Sequence, residues 1–186
     1  MAIDGDVRFR DAAPDEWESV SALHVASWRS AYRGMLLDAY LDGAIAEERR
    51  ALWRARLAGG TRPDQIVVVG EDGSGIVALA CILAGQDRRW GSLIDNLHVR
   101  PDRKRGGIGR LALAEAARRL PPAYAGTPLH LTVLEANRAA QSAYENWGGA
   151  LVERLEADLP DSQRLPVRRY AWATPAALTA RLERRT

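Results

Sequence analysis

The sequence predicts an α/β domain with a central mixed, mostly antiparallel sheet of about seven strands flanked by helices. Three features of its 186 residues point there. Hydrophobic runs switch between strand and helix periods, glycine or proline clusters mark the joints, and a basic, glycine-rich turn stands between one strand and one helix. With 47% hydrophobic and 27% charged residues, the chain is long enough for one buried core and too short for two ordinary domains. Residues 1–186 therefore read as a single domain, with 174–186 a short C-terminal tail.

Val7 to Arg10 alternates apolar and charged residues as a half-buried strand does. Pro14-Asp15 opens a helical pattern of Trp17, Val20, His24, Trp28 and Ala31, which Gly34 ends. A second amphipathic pattern with Ile45, Leu52, Trp53 and Leu57 on one side runs to Gly59-Gly60. Gln65–Val69 and Ile76–Leu83 flank a turn at residues 71–75 and read as a hairpin, and Ser92–Val99 is the next strand. An apolar helix from about Ile108 to Leu120 stops at Pro121-Pro122, Leu129–Leu134 alternates as a strand, and Asn137–Trp147 has helical spacing up to Gly148-Gly149. Ala150–Leu159 and Val167–Ala173 read as two more strands, with an amphipathic tail from Thr174-Pro175. The order is β-α-α-β-β-β-α-β-α-β-β, without an internal repeat.

Composition excludes several functions. The longest apolar stretch, Gly75–Gly85, is well short of the roughly 20 residues of a membrane-spanning helix. Met1–Asp11 is charged and has no apolar leader core, so no secretory signal is expected. Cys81 is the only cysteine, which excludes an intramolecular disulfide and a cysteine-based zinc cluster and suits a reducing cytoplasm. Twenty-six basic against 24 acidic residues leave a net charge of +2. The bases are dispersed among acids on presumed helix faces, as on a solvated surface, and no nucleic-acid or membrane partner is expected.

One basic run differs. In Lys104-Arg105-Gly106-Gly107-Ile108-Gly109-Arg110 a strand has ended, glycines allow a tight turn, and a helix begins. Free N–H groups and a partial charge of about +0.5 at such a helix mouth bind a phosphate. A P-loop is excluded because the only lysine precedes the glycines, and a dinucleotide fingerprint lacks its third glycine and its parallel βαβ setting. By itself the segment is equally a connecting loop with solvated arginines.

Leu97-His98-Val99-Arg100-Pro101 followed by Lys104–Gly109 resembles the phosphate motif of the GNAT superfamily of acetyl-CoA-dependent N-acetyltransferases. Lys104 stands where that motif usually has Gln or Arg, which keeps charge and loses the planar fork. Leu131 to Gly148, with Asn137, Ala140, Tyr144 and Gly148 in spacing, resembles the family's second motif. Asn137 alone reads as an N-cap and Tyr144 alone as core.

The resemblance implies the GNAT fold, acetyl-CoA as acetyl donor with no metal, and direct transfer to a primary amine, with a small molecule as the expected acceptor. It implies that the strands holding Leu97 and Leu131 splay apart, freeing Leu97 N–H as oxyanion donor and Val99 N–H for pantetheine. Lys104, Arg105, Gly106, Gly107, Ile108, Gly109 and Arg110 would hold the diphosphate, Asn137 would face the pantetheine, and Tyr144 would protonate the leaving sulfur. An ammonium with a pKa near ~10 must lose a proton before attack. Alternation places Asp95 on the face of Leu93, Leu97 and Val99 and makes it the expected base, a reading a bulge would reverse; Glu135 and His98 are weaker alternatives. His24, Trp28 and Tyr32 share a helix face and are expected to contact the acceptor or, equally, to be core. Asp38 and Asp42 could attract a cationic amine or cap a helix. Cys81 reads as core. A protein or peptide N-acetyltransferase and a non-catalytic acyl-CoA sensor remain alternatives, and a homodimer is compatible with the sequence.

Overall fold

The computed structural model describes residues 7–60 and 62–183. Residues 1–6, part of the stretch read as lacking a leader, and 184–186 of the expected tail lie outside the described residues, as does residue 61. The sheet comprises β1 (Arg8–Asp11), β2 (Gln65–Asp72), β3 (Gly75–Asp87), β4 (Gly91–Val99), β5 (Leu129–Leu134), β6 (Ala150–Asp158) and β7 (Arg164–Trp172), in the order β1-β2-β3-β4-β5-β7-β6. Neighbours are antiparallel except β4 and β5, which run parallel. The helices are α1 (Trp17–Ala31), α2 (Asp38–Asp42), α3 (Ile45–Leu57), α4 (Ile108–Arg118), α5 (Arg138–Asn146) and α6 (Pro175–Glu183).

Strand alternation divides the core between the two faces of the sheet. Val67, Val69, Leu79 and Cys81 meet Val20 and Leu23 of α1 and Trp53 and Leu57 of α3 on one face. Ile66, Val68, Ala78, Ala80 and Ile82 meet Ile108, Ala112, Leu113 and Ala116 of α4 on the other. Covering both faces explains why β2 and β3 read as continuous apolar runs. Small alanines on α4 let that helix lie close against the sheet. No described helix is long and apolar enough to cross a membrane.

Two elements go beyond the sequence reading. The expected C-terminal tail is helix α6, whose Leu178 and Leu182 are fully buried in the α4-side core. Removing two such side chains from water contributes about 3–6 kcal/mol. The short helix α2 was not anticipated. Asp161, in the β6–β7 connection, accepts a hydrogen bond from Leu37 N–H at 2.9 Å at its start. Asp38 and Asp42 both pair with exposed Arg33, so neither is a free carboxylate for an amine.

Gly91 fixes the joint between β4 and β5. Its φ is +73°, and a Cβ there would overlap the Pro128 carbonyl oxygen. That carbonyl accepts from Ser92 N–H at 2.9 Å, just where parallel pairing begins. A Gly91→Ala variant is expected to lose about 2–4 kcal/mol in urea titration through combined strain and overlap; an unchanged midpoint would show that the joint accepts a side chain.

Candidate active site

β4 and β5 pair only at Ser92↔Leu129 and Leu93↔His130, and beyond them the strands diverge. The cause of the altered geometry in β4 is a bulge. Cys81 of β3 faces Asn96 while Ile82 faces Ile94, which leaves Asp95 as one extra residue. Ser92 N–H points toward β5, to Pro128 O, whereas Arg100 N–H points toward β3, to Val77 O at 2.9 Å. Two even-numbered residues of an unbroken strand would point the same way, so the extra residue has reversed the alternation. As a result the N–H groups of Leu97 and Val99 are directed away from β3, into the gap.

The same bulge reverses the expected placement of Asp95. Leu97 and Val99 lie against the α4-side core, but Asp95 lies on the α3 side, where its carboxylate pairs with Arg56 at 2.6 Å. Asp95 does not line the cavity that the gap opens. Glu135 is also engaged elsewhere, by Arg168.

That cavity, about 820 Å³, passes through the sheet and has two differently built ends. On the α4 side, Gly107 occupies the N-cap with φ +80°, and Arg105 is also left-handed at φ +72°. Among the described residues, none of the N–H groups of residues 104–110 has an acceptor; the first helical bond is Leu111 N–H to Gly107 O. These amides and the helix dipole make an anion-binding mouth. Gly109 lies so near Val99 that an added Cβ would come within 3.2 Å of its Cγ2. Lys104 reaches Ser30 Oγ at 3.2 Å, and exposed Arg105 lines the mouth. Arg110 also lines it, but its guanidinium is held by the Leu182 carbonyl, so its side chain is not the free anion ligand expected.

Beside the gap, Asn137 caps α5 by accepting Ala140 N–H at 3.2 Å, so the cap reading and the cavity position both hold. Tyr144 faces the cavity seven residues, about two turns, further along. Burial, reinforced by the neighbouring Tyr32 phenol, pushes its hydroxyl well above the ordinary tyrosine range, so it stays protonated.

The α1 end is lined by Ser27, Ser30, Ala31, Tyr32, Met35 and His98. His24, Trp28 and Tyr32 do form one ladder, with ring centroids 5.3 and 5.0 Å apart, but only Tyr32 lines the cavity. His24 is 1% exposed, accepts from Trp53 Nε1 at 2.9 Å and stacks on His98 at 4.2 Å. Trp28 lies under the Arg49 guanidinium, 5.0 Å from its ring centroid. Both support the wall instead of forming it. Cys81 is fully buried, and burial pushes its thiol up to about 12, which keeps it inert.

Sequence reasoning missed Ser27 and Met35, which line the cavity. Ser27 was within reach of the helical pattern, three residues beyond His24.

Residues 17–149 match the model of a family described as acetyltransferase (GNAT) family. No curated protein matches the chain. Among solved structures, PaiA N-acetyltransferase from Thermoplasma acidophilum, in complex with coenzyme A, is 16% identical, with 87% of this chain and 97% of that one covered at a TM-score of 0.67. A GNAT-family acetyltransferase from Streptococcus pneumoniae is 20% identical over 90% of this chain and 99% of that one, with a TM-score of 0.64. The RimL ribosomal L7/L12 α-N-protein acetyltransferase, in complex with coenzyme A, is 14% identical over 94% and 98%, with a TM-score of 0.67.

Burial is the main cause that holds His24 well below its ordinary range, His98 at about 3 and His130 at about 4. Unfolded histidine titrates near ~6.5, so below that pH the unfolded chain takes up protons that the folded one refuses. Stability is full above about pH 6.5 and falls as pH drops toward the folded values. Urea titrations at pH 7.5, 6 and 5 should show a decline of about 1.4 kcal/mol per pH unit for each buried histidine below pH 6. A flat profile over this interval would contradict the burial of all three.

Proposed function

The chain belongs to the acetyltransferase (GNAT) family and uses acetyl-CoA as its donor, and from that premise we propose that it acetylates the primary amine of a small molecule by direct attack in a ternary complex. The observation that carries this reading is the cavity through the sheet, with unpaired helix-mouth amides on one side and a walled, partly apolar chamber on the other. The donor enters from the α4 side and the acceptor from the α1 side. A small acceptor is favoured because the wall that carries Tyr32 and Met35 is packed against Leu159 of the β6–β7 connection, which Asp161 ties to Leu37 N–H.

The glycine-rich turn fits a diphosphate: Gly107 holds a left-handed cap, and the N–H groups of residues 104–110 lack protein acceptors. Bound there, the coenzyme supplies an activated acetyl thioester. Val99 N–H and Asn137 hold the arm that carries it. Leu97 N–H donates to the oxygen that becomes negative as nitrogen attacks. Tyr144, kept protonated, gives its proton to the departing sulfur. Holding both reactants in one gap contributes several kcal/mol toward the barrier.

Thiol release from acetyl-CoA across a panel of small amines, polyamines and peptides tests the reading; turnover confined to peptides would replace the small-molecule acceptor with a protein one. Gly107→Asp is expected to weaken acetyl-CoA binding at least tenfold in calorimetry, since it strains the φ +80° cap and sets a carboxylate against a diphosphate. Unchanged affinity would remove the turn from the donor site. Tyr144→Phe should lower kcat by about 10- to 100-fold with the Kd for acetyl-CoA little changed; an intact kcat would assign sulfur protonation to another donor.

A further inference from the structure

Proton removal from the acceptor has no carboxylate to serve it. Among the described residues lining the cavity there is no Asp or Glu; its titratable groups are His98, Tyr32, Tyr144, Lys104 and arginines. His98 alone offers a nitrogen lone pair. Its surroundings are ordered in a way that decides which nitrogen carries the lone pair. Asn96 Nδ2 donates to the Asp95 carboxylate, which can only accept, so Asn96 Oδ1 is the atom facing His98 Nε2 at 3.3 Å. An amide oxygen also only accepts. Nε2 therefore bears the hydrogen, and Nδ1 is left to accept from Ser27 Oγ at 3.3 Å. Ser27 is 4% exposed and lines the cavity.

We infer that Ser27 and His98 form the proton-accepting pair for the acceptor amine, with Asn96 and Asp95 holding the imidazole in its Nε2–H form from behind. This rests on the acetyltransferase reading and adds the group that reading lacks. The acceptor enters as its ammonium, and one N–H proton passes to Ser27 Oγ while the Ser27 hydroxyl proton passes to His98 Nδ1. The freed nitrogen lone pair bonds to the thioester carbon, and the C=O π pair moves to oxygen beside Leu97 N–H. Collapse re-forms C=O and breaks C–S, the sulfur takes the Tyr144 proton, and a second N–H proton reaches the phenolate through cavity water. Net, one proton travels from nitrogen to sulfur and one, held on the imidazole, is released to solvent. No proton moves past Nε2. Asn96 strengthens its acceptance as positive charge forms, because Asp95, paired with Arg56, polarises it from the far side.

The bulge makes this arrangement from sequence neighbours. Asp95, Asn96 and His98 are brought to the α1–α3 face, while Leu97 between them keeps its N–H in the gap. The groups facing His98 are His24 and Ser27 from α1, Arg49 from α3, Lys104 from the glycine-rich turn, and Asn96 from its own strand. Burial, then Lys104 and Arg49, keep the ring neutral with its Nδ1 lone pair free, at the expense of basicity. A diphosphate at the turn would offset the Lys104 charge and raise the basicity of His98 when the donor is bound.

The experiment compares wild type, His98→Gln, Ser27→Ala and Asn96→Leu, using thiol release at about pH 9 with an alkylamine of pKa about 10, still mostly ammonium there, and with hydrazine, whose pKa of about 8 leaves it mostly unprotonated. His98→Gln is expected to lower kcat about 100-fold for the alkylamine and at most about threefold for hydrazine, with calorimetric acetyl-CoA affinity unchanged as the check on folding. Ser27→Ala and Asn96→Leu should lower kcat about tenfold with the same amine dependence and little change in KM. Histidine side-chain ¹⁵N spectra supply a readout independent of turnover: protonated Nε2 in wild type, and mixed tautomers in Asn96→Leu. Equal losses for both amines, retained alkylamine kcat in His98→Gln, or an Nδ1–H tautomer in wild type would each overturn the pair while leaving the transferase reading intact. Absence of amine-dependent thiol release by wild type would overturn the transferase reading itself and the pair with it.

Discussion

An extended strand sends successive amides and side chains to alternate sides, and one inserted residue exchanges the two sets for everything beyond it. In β4 that residue is Asp95. Without it, Arg100 N–H would point the same way as Ser92 N–H, and Leu97 and Val99 would spend their amides on β3. With it, those two amides are directed into a gap where β5 is no longer near enough to use them. Unpaired backbone groups are costly in a closed interior, and here they face a cavity in which a ligand can accept from them.

The gap separates two chemistries by placing them on opposite faces of one sheet. The α4 face is an anion site made mainly of main-chain N–H groups and a helix dipole, strengthened by Lys104 and Arg105. The α1 face is made of side chains, with Ser27, Tyr32 and Met35 as wall and His24 and Trp28 as its support. Much of the basic charge near the mouth is already paired. Arg100 is held by Asp102, Arg103 by Asp72, and Arg110 by a carbonyl of α6. The pairing shapes the turn and leaves its backbone as the main recognition surface.

Distant segments hold this arrangement. The C-terminal helix buries two leucines beside α4 and is tied to it through Arg110, so the mouth of α4 depends on residues far along the chain. On the other side the β6–β7 connection caps α2 through Asp161, which is 7% exposed and held low by its contacts with Leu37 and Gln163 despite burial. Both ends of the cavity are therefore braced by chain that follows the two motifs in sequence.

By itself the sequence determined the seven strands and the helices α1, α3, α4 and α5, because hydrophobic period and glycine or proline punctuation are local properties. It also determined the turn at 104–110 and the Asn137–Tyr144 spacing, since helix caps and turns are written in neighbouring residues. It read His24, Trp28 and Tyr32 as one face, which periodicity allows, yet could not tell the residue on the wall from the two behind it. Tertiary structure alone decided where β4 breaks step, because a bulge is a relation between two strands and leaves no mark in the one that carries it. That relation turned Asp95 away from Leu97 and brought His98 to Ser27, and packing against α4 made a tail into core, since burial depends on neighbours that local sequence does not name.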